Sequence, residues 1–263
     1  VAGAARPRVL ECKDVERRFG GLVALTGVDL HINQGEIFGL VGPNGSGKTT
    51  MTNAITGFYP PQKGQILLNG RDITGMAPHQ VARQGVARTF QNLALFNGMT
   101  VLDNILLGRH VHMRPSVWRT ALYPWLARDE EIHHRHLVEE VIDFMQLQNV
   151  RDELVDAIPI GLKKRVELAR ALVAEPNFLI LDEPMAGMNQ EEKEYMARFV
   201  LDARDERGVT VLLIEHHMDI ITGICDRMLV LSYGELIDTG VPREVIQNPR
   251  VIKAYLGGAR HAG

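Results

Sequence analysis

Residues Gly42 to Thr49 read GPNGSGKT, and they follow directly on an apolar run, EIFGLVG, that covers Glu36 to Gly42. A segment so rich in glycine, caught between a buried strand and a helix, is a tight loop with its backbone N–H groups exposed to whatever it encloses. With a lysine and a threonine at its end it fits the phosphate-loop pattern G-x-x-x-x-G-K-[ST], in which the backbone amides wrap a phosphate chain. Gly42, Pro43, Asn44, Gly45, Ser46 and Gly47 would form the wall and Lys48 would reach the terminal phosphates. Thr49 would give its hydroxyl to Mg2+, with Thr50 beside it. That geometry requires a strand, a loop and a helix in immediate succession, which points to an α/β core.

Two more segments support that core. FLILDEP (Phe178 to Pro184) and VTVLLIEH (Val209 to His216) are near-continuous apolar runs that end in charge or turn residues. Runs without alternation suit strands buried on both faces of a parallel sheet. VLECKDVERRF, TGVDLHINQG and GQILLNGRDI alternate instead, which predicts an antiparallel β subdomain near the N-terminal side. The segment from about Leu93 to Val155 reads as helical, RMLVLSYGELIDTG as a hairpin, and VPREVIQNPRVIKAYLGG as a helical tail interrupted at Pro249. The expected division is 1–92 for the first part of the core, 93–157 for a helical subdomain, 158–240 for the second part of the core, and 241–263 for the tail.

Composition narrows the class. In 263 residues, 29 basic and 32 acidic side chains nearly cancel, so no nucleic-acid partner is expected. The longest apolar runs fall well short of the ~20 residues that cross a bilayer, and VAGAARPRVLECK lacks the apolar core of a secretory signal. Cys12 and Cys225 match no metal or redox spacing, as expected in a reducing compartment. The expectation is a cytoplasmic protein.

Chemistry gathers at the strand ends. Asp182 can hold magnesium, and Glu183 can orient or deprotonate an attacking water, so the pair implies hydrolysis. His216, which closes the third buried run, is a plausible contact to a terminal phosphate. The histidines His110, His112, His133, His134 and His136 lack companion ligands at a recognised metal spacing. Another unusual stretch is IPIGLKKRVELARAL. Its three cations, Lys163 to Arg165, stand at the start of an expected helix, where they oppose the dipole unless an anion arrives; solvated side chains are the equal alternative to contact with that anion.

The order of these motifs resembles the ATP-binding-cassette family of ATPases over nearly the whole chain. The resemblance implies a phosphate-loop ATPase that binds ATP and Mg2+, in which two cassettes pack head to tail around each nucleotide. On that basis Phe19 in RRFGG is similar to the aromatic that stacks on adenine, and Gln91 in RTFQN to the glutamine that senses magnesium. Glu183 is then the catalytic base and His216 the switch histidine. Pro159, Ile160, Gly161 and Leu162 occupy the signature position, so Gly161 and the start of its helix would approach the γ-phosphate of ATP on the partner cassette. Asn189 in MAGMN stands in the inter-subunit loop. The chain departs from the family's Leu-Ser-Gly-Gly-Gln signature at Pro159, Ile160 and Leu162. Asparagine replaces the usual aspartate at Asn189, and His217 follows the switch histidine.

The relaxed signature before KKRVELARALVAEP, the phrase LLIEHHMD and the ending NPRVIKAYLGG resemble the ATPase subunits of importers for branched-chain amino acids. Implied partners are a second cassette, a distinct paralogue or this chain itself, and integral membrane permease subunits. A solute-binding protein outside the cell would act indirectly, and the chain would sit on the inner face of the membrane. Uptake of urea, other amino acids or amides, lipopolysaccharide export, and a soluble non-transport role are the alternatives. Trp118 and Trp125 are expected to pack the helical subdomain. The segment from Gln91 to Thr100, with Phe96 and Met99, is expected to face a membrane partner.

Overall fold

The computed structural model describes residues 6–90, 93–111 and 124–258. Gln91, His112 and Trp118 lie outside the described residues, as does the side chain of Trp125. The chain divides into two compact units, one of residues 1–86, 177–183 and 200–263, the other of 87–176 and 184–199.

The first unit holds two sheets. Strands β1 (Arg8–Phe19), β2 (Leu22–Asn33), β4 (Lys63–Leu68) and β5 (Arg71–Asp72) form an antiparallel sheet in the order β2-β1-β4-β5. The second sheet runs β10-β9-β3-β8-β7-β6, with β3 (Ile37–Val41), β6 (Val86–Arg88), β7 (Phe178–Asp182), β8 (Thr210–Ile214), β9 (Arg227–Ser232) and β10 (Glu235–Gly240). The three apolar runs become β3, β8 and β7, adjacent, parallel and buried along their whole length. Burial on both faces is what their unbroken apolar sequence requires.

The hairpin expected at RMLVLSYGELIDTG is present, and its first strand does more than pair with its second. β9 also pairs in parallel with β3, from Phe38↔Arg227 to Val41↔Val230, and so extends the central sheet. Leu10, Val15, Leu25 and Ile66 of the antiparallel sheet share one core with Phe38, Leu40, Phe178, Leu212 and Leu229 of the other. Helix α1 (Lys48–Ile55) joins it through Met51 and Ile55. Cys12 and Cys225 are free and buried, and burial pushes both thiols far above their ordinary pKa. Short helices α2 (Pro78–Ala82), α7 (Met218–Ile224) and α8 (Pro242–Val245) precede the tail helix α9 (Pro249–Gly258), which starts at the expected proline.

The second unit is built on α3 (Val101–Leu106), α4 (Pro124–Phe144), α5 (Ile160–Leu172) and the first half of α6 (Gln190–Arg207). Thr100 caps α3, its hydroxyl accepting from the Asp103 N–H at 3.1 Å. Arg109 is buried; it donates to Val173 O at 2.8 Å, to Glu175 Oε2 at 2.7 Å and to His134 Nδ1 at 3.1 Å. His134 therefore serves as a hydrogen-bond acceptor within the unit. Gly108 touches α5 so closely that a Cβ there would lie 2.2 Å from Arg170 O and 2.6 Å from Val173 Cγ1. Gly108→Ala should accordingly destabilise the protein by ~1–3 kcal/mol through overpacking, a loss readable in denaturant unfolding.

Candidate active site

At the end of β3 the backbone turns sharply. Gly42 has φ 152°, and a Cβ on it would stand 2.1 Å from Leu231 O, so no other residue fits beside β9. The loop closes with the Ser46 N–H donating to Pro43 O at 3.2 Å, and Met51 N–H to Gly47 O at 2.8 Å opens α1. The hairpin after β9 holds the loop from behind: Gly234 N–H donates to Ser46 O at 2.9 Å, and Thr26 N–H to Gly234 O at 2.8 Å. Lys48 folds over its own loop and donates Nζ to Gly42 O at 2.7 Å and to Pro43 O at 3.1 Å. Burial lowers its pKa, and the charges of Glu183 and Asp182 oppose that shift. The Ser46 hydroxyl is buried without a hydrogen-bond partner. A cradle of this shape, with an orphaned hydroxyl and the N-terminus of α1 at its floor, fits an anion.

The acidic pair lies at the end of β7 in the same unit. Asp182 is buried, while Glu183 adopts φ +50°, the left-handed region that non-glycine residues avoid. Its N–H donates to Ile214 O at 2.9 Å, which fixes the turn, and its carboxylate Oε1 meets Nε2 of His216. Glu215, also buried, accepts from the His216 N–H at 3.1 Å. The two residues singled out for chemistry, Glu183 and His216, thus form a hydrogen-bonded pair. A carboxylate oriented in this way can accept a proton from water.

Phe19 stands at the end of β1, and two residues that sequence reasoning missed complete its surroundings. Tyr59 packs edge-on against it with ring centroids 5.4 Å apart, and the Arg17 guanidinium lies 4.8 Å from the Phe19 centroid and 5.8 Å from that of Tyr59. Arg17 is itself tied down by donating to Pro60 O at 2.7 Å. The spacing of Arg17 and Phe19, two apart on a strand and so on one face, is the signal that could have found the first. Nothing local announces Tyr59. Tyr255 of α9 was also missed. Burial pushes its phenol up to about 12, held back in part by a hydrogen bond with the Gly42 backbone.

In the second unit, Pro159 precedes α5 in an extended conformation and accepts from the Lys163 N–H at 3.0 Å. Ile160 is exposed, Leu162 half-buried and Gly161 buried. What covers Gly161 is Glu192 of α6, whose Oε1 would stand 2.3 Å from a Cβ at that position. Glu192 is held by Asn189: its Oε2 accepts from the Asn189 N–H at 2.9 Å, and its own N–H donates to Asn189 Oδ1 at 2.9 Å. Asn189 and Glu192 therefore form a reciprocal cap on α6. The basic run departs from the solvated reading. Lys164 is only 4% exposed and pairs with Glu167 at 3.6 Å, while Arg165 donates to Met145 O and lies 4.9 Å over the Phe199 ring. Successive helix positions turn by ~100°, so three cations in a row cannot share the solvent face.

Comparison with known proteins decides what family this geometry serves. The profile described as ABC transporter matches residues 25–186. The chain belongs to the ATP-binding-cassette transporter family. A second profile, of branched-chain amino acid ATP-binding cassette transporters, matches residues 239–261. The chain is 39% identical to the high-affinity branched-chain amino acid transport ATP-binding protein BraF of Pseudomonas aeruginosa, over 97% of this chain and 100% of that one. To LivG of Escherichia coli it is 37% identical, over 95% and 98%. Among solved structures, a nucleotide-free cassette from an ABC transporter matches with TM-score 0.83 at 30% identity, covering 94% of this chain and 98% of that one. A cassette in its ADP conformation matches with TM-score 0.83 at 31% identity, covering 95% and 99%.

With Phe19 beneath adenine, as the family resemblance implies, the Arg17–Tyr59 support would act on ATP affinity rather than on chemistry. Arg17→Ala and Tyr59→Ala should each raise KM for ATP about three- to tenfold, the worth of one cation–π or aromatic contact, and leave kcat within about twofold. Steady-state hydrolysis over a range of ATP concentrations checks this.

Proposed function

We propose that this chain is the ATP-hydrolysing subunit of an importer for branched-chain amino acids. The observation that carries the reading is the match of residues 239–261 to the branched-chain profile, beside near full-length likeness to BraF and LivG. Among the described residues no helix is long and apolar enough to cross a membrane. Permease partners are proposed to supply the pathway for solute. The cassette would bind them from the inner face. The segment that ends at Thr100, with Phe96 exposed, is the proposed contact. The solute would reach them from an external binding protein.

For the chemistry, the loop from Gly42 to Thr50 would hold the phosphates of ATP, with the Ser46 hydroxyl and Lys48 turned to them and Phe19 beneath adenine. Thr49, Asp182 and Gln91 would hold magnesium. Hydroxyl, carboxylate and amide oxygens are the hard donors this ion takes. When bound, magnesium supplies charge neutralisation at the phosphate oxygens. Glu183, oriented by His216, accepts a proton from water as the water oxygen bonds to the γ-phosphorus. The bond from that phosphorus to the bridging oxygen of ADP breaks, and inorganic phosphate and ADP leave. Lys48→Ala should abolish hydrolysis and weaken ATP binding, because charge-assisted bonds to phosphate are among the strongest. Glu183→Gln should spare binding and stop turnover, leaving an ATP-dependent dimer on size exclusion. Wild-type turnover in either variant overturns the assignment.

The second cassette in that dimer is proposed to be a distinct paralogue. Pro159 offers neither a hydroxyl nor an N–H to a phosphate across the interface, and Glu192 stands against Gly161, so a partner with a fuller signature suits the site facing Glu183. The backbone N–H groups of Ile160 and Gly161 are the proposed phosphate contacts of this chain. Pro159→Ser should then change turnover of the reconstituted complex less than about tenfold, below the full worth of a bond to a charged group. An acceleration of about a hundredfold would mean that the missing hydroxyl limits the reaction.

A further inference from the structure

Glu167 lies on α5, on the helix that Gly161 opens, and only 2% of it is exposed. Burial raises its pKa, and Lys164, the Phe90 and Ala94 amides and Arg170 all act to lower it. A buried carboxylate is costly and rarely adds stability over an apolar side chain of like volume. What this one does is join two parts of the chain. The Phe90 N–H donates to its Oε1 at 3.4 Å, and its hydrogen bond with the Ala94 backbone reaches the far side of the same short stretch. One turn further along α5, Arg170 donates Nη1 to Ala94 O at 2.5 Å. Just beyond, the Asn104 amide binds Phe96 from both sides, with Oδ1 accepting from its N–H at 2.8 Å and Nδ2 donating to its carbonyl at 3.2 Å.

The backbone flanking Gln91, at Phe90 and Ala94, is therefore fastened to α5 by the charged side chains of Glu167 and Arg170. Apolar contacts tolerate sliding by a fraction of an ångström, whereas two amides sharing one carboxylate do not. We propose that Glu167 is a positioning residue: it fixes the backbone at Phe90 and Ala94 to α5, so that a displacement on either side of this link is carried to the other. Lys164 pairs with the carboxylate at 3.6 Å, and Arg170 completes the fastening. The proposal rests on the reading of Gln91 and Gly161 as nucleotide-facing residues.

Two variants test it in the reconstituted complex. Glu167→Ala removes both acceptors, and Glu167→Gln keeps one acceptor oxygen in place. In Glu167→Ala, hydrogen exchange at the Phe90 and Ala94 amides should accelerate at least about tenfold. Its kcat should fall about tenfold while KM for ATP stays within about twofold, and Glu167→Gln should recover kcat to within about threefold of wild type. Unchanged exchange at both amides overturns the contact. Faster exchange with unchanged kcat overturns the coupling role, as does equal loss in both variants together with a lowered Tm. A wild-type complex that fails to hydrolyse ATP would instead sink the functional reading, and the exchange result would still stand on its own.

Discussion

Everything at the phosphate end of the first unit depends on the register between three buried parallel strands. Leu40 of β3 sits opposite Ile214 of β8, which sits opposite Asp182 of β7. One step past that row the chain leaves the sheet at Glu183 and Glu215, and two steps past it at Gly42. Because parallel strands all exit at the same edge, the loop, Glu183 and His216 need no further device to converge there. The sheet supplies position, and the loops supply chemistry.

That convergence is maintained against local cost. Glu183 occupies a left-handed conformation that costs of order 1–3 kcal/mol for a residue with a side chain, and the Glu183 N–H bond to Ile214 O is what holds it there. Burial lowers the pKa of Lys48, and the charges of Glu183 and Asp182 oppose that shift. The acidic pair thus acts electrostatically on the lysine of the neighbouring loop. The second unit handles buried charge differently. Buried Arg109 reaches Glu175 in the loop after α5, while Lys164 and Glu167 form a buried pair within α5 itself.

The central strands were legible because their sequence carries no competing signal: FLILD and TVLLI admit burial on both faces and little else. The phosphate loop was legible because glycine at a fixed spacing reports backbone conformation directly, and the Gly42 clash with Leu231 O shows why. Three features were hidden for one reason, that charge or polarity in a sequence reads as surface. Lys164 and Glu167 look like a solvated helix face, Arg17 looks like an exposed strand position, and only three-dimensional neighbours reveal otherwise. The start of a helix at Gly161 was legible from the sequence. The cover of Gly161 by Glu192 was not, since the residues that meet there belong to different helices.

The two thiols have a practical consequence. Cys12 and Cys225 are sealed in the core of the first unit, and burial holds both in the unreactive protonated form. A cysteine introduced on the surface would therefore outcompete both native residues for a thiol reagent. Site-directed spectroscopic labelling could be done on the natural background, with no need to replace Cys12 or Cys225 and risk a cavity beside the central sheet.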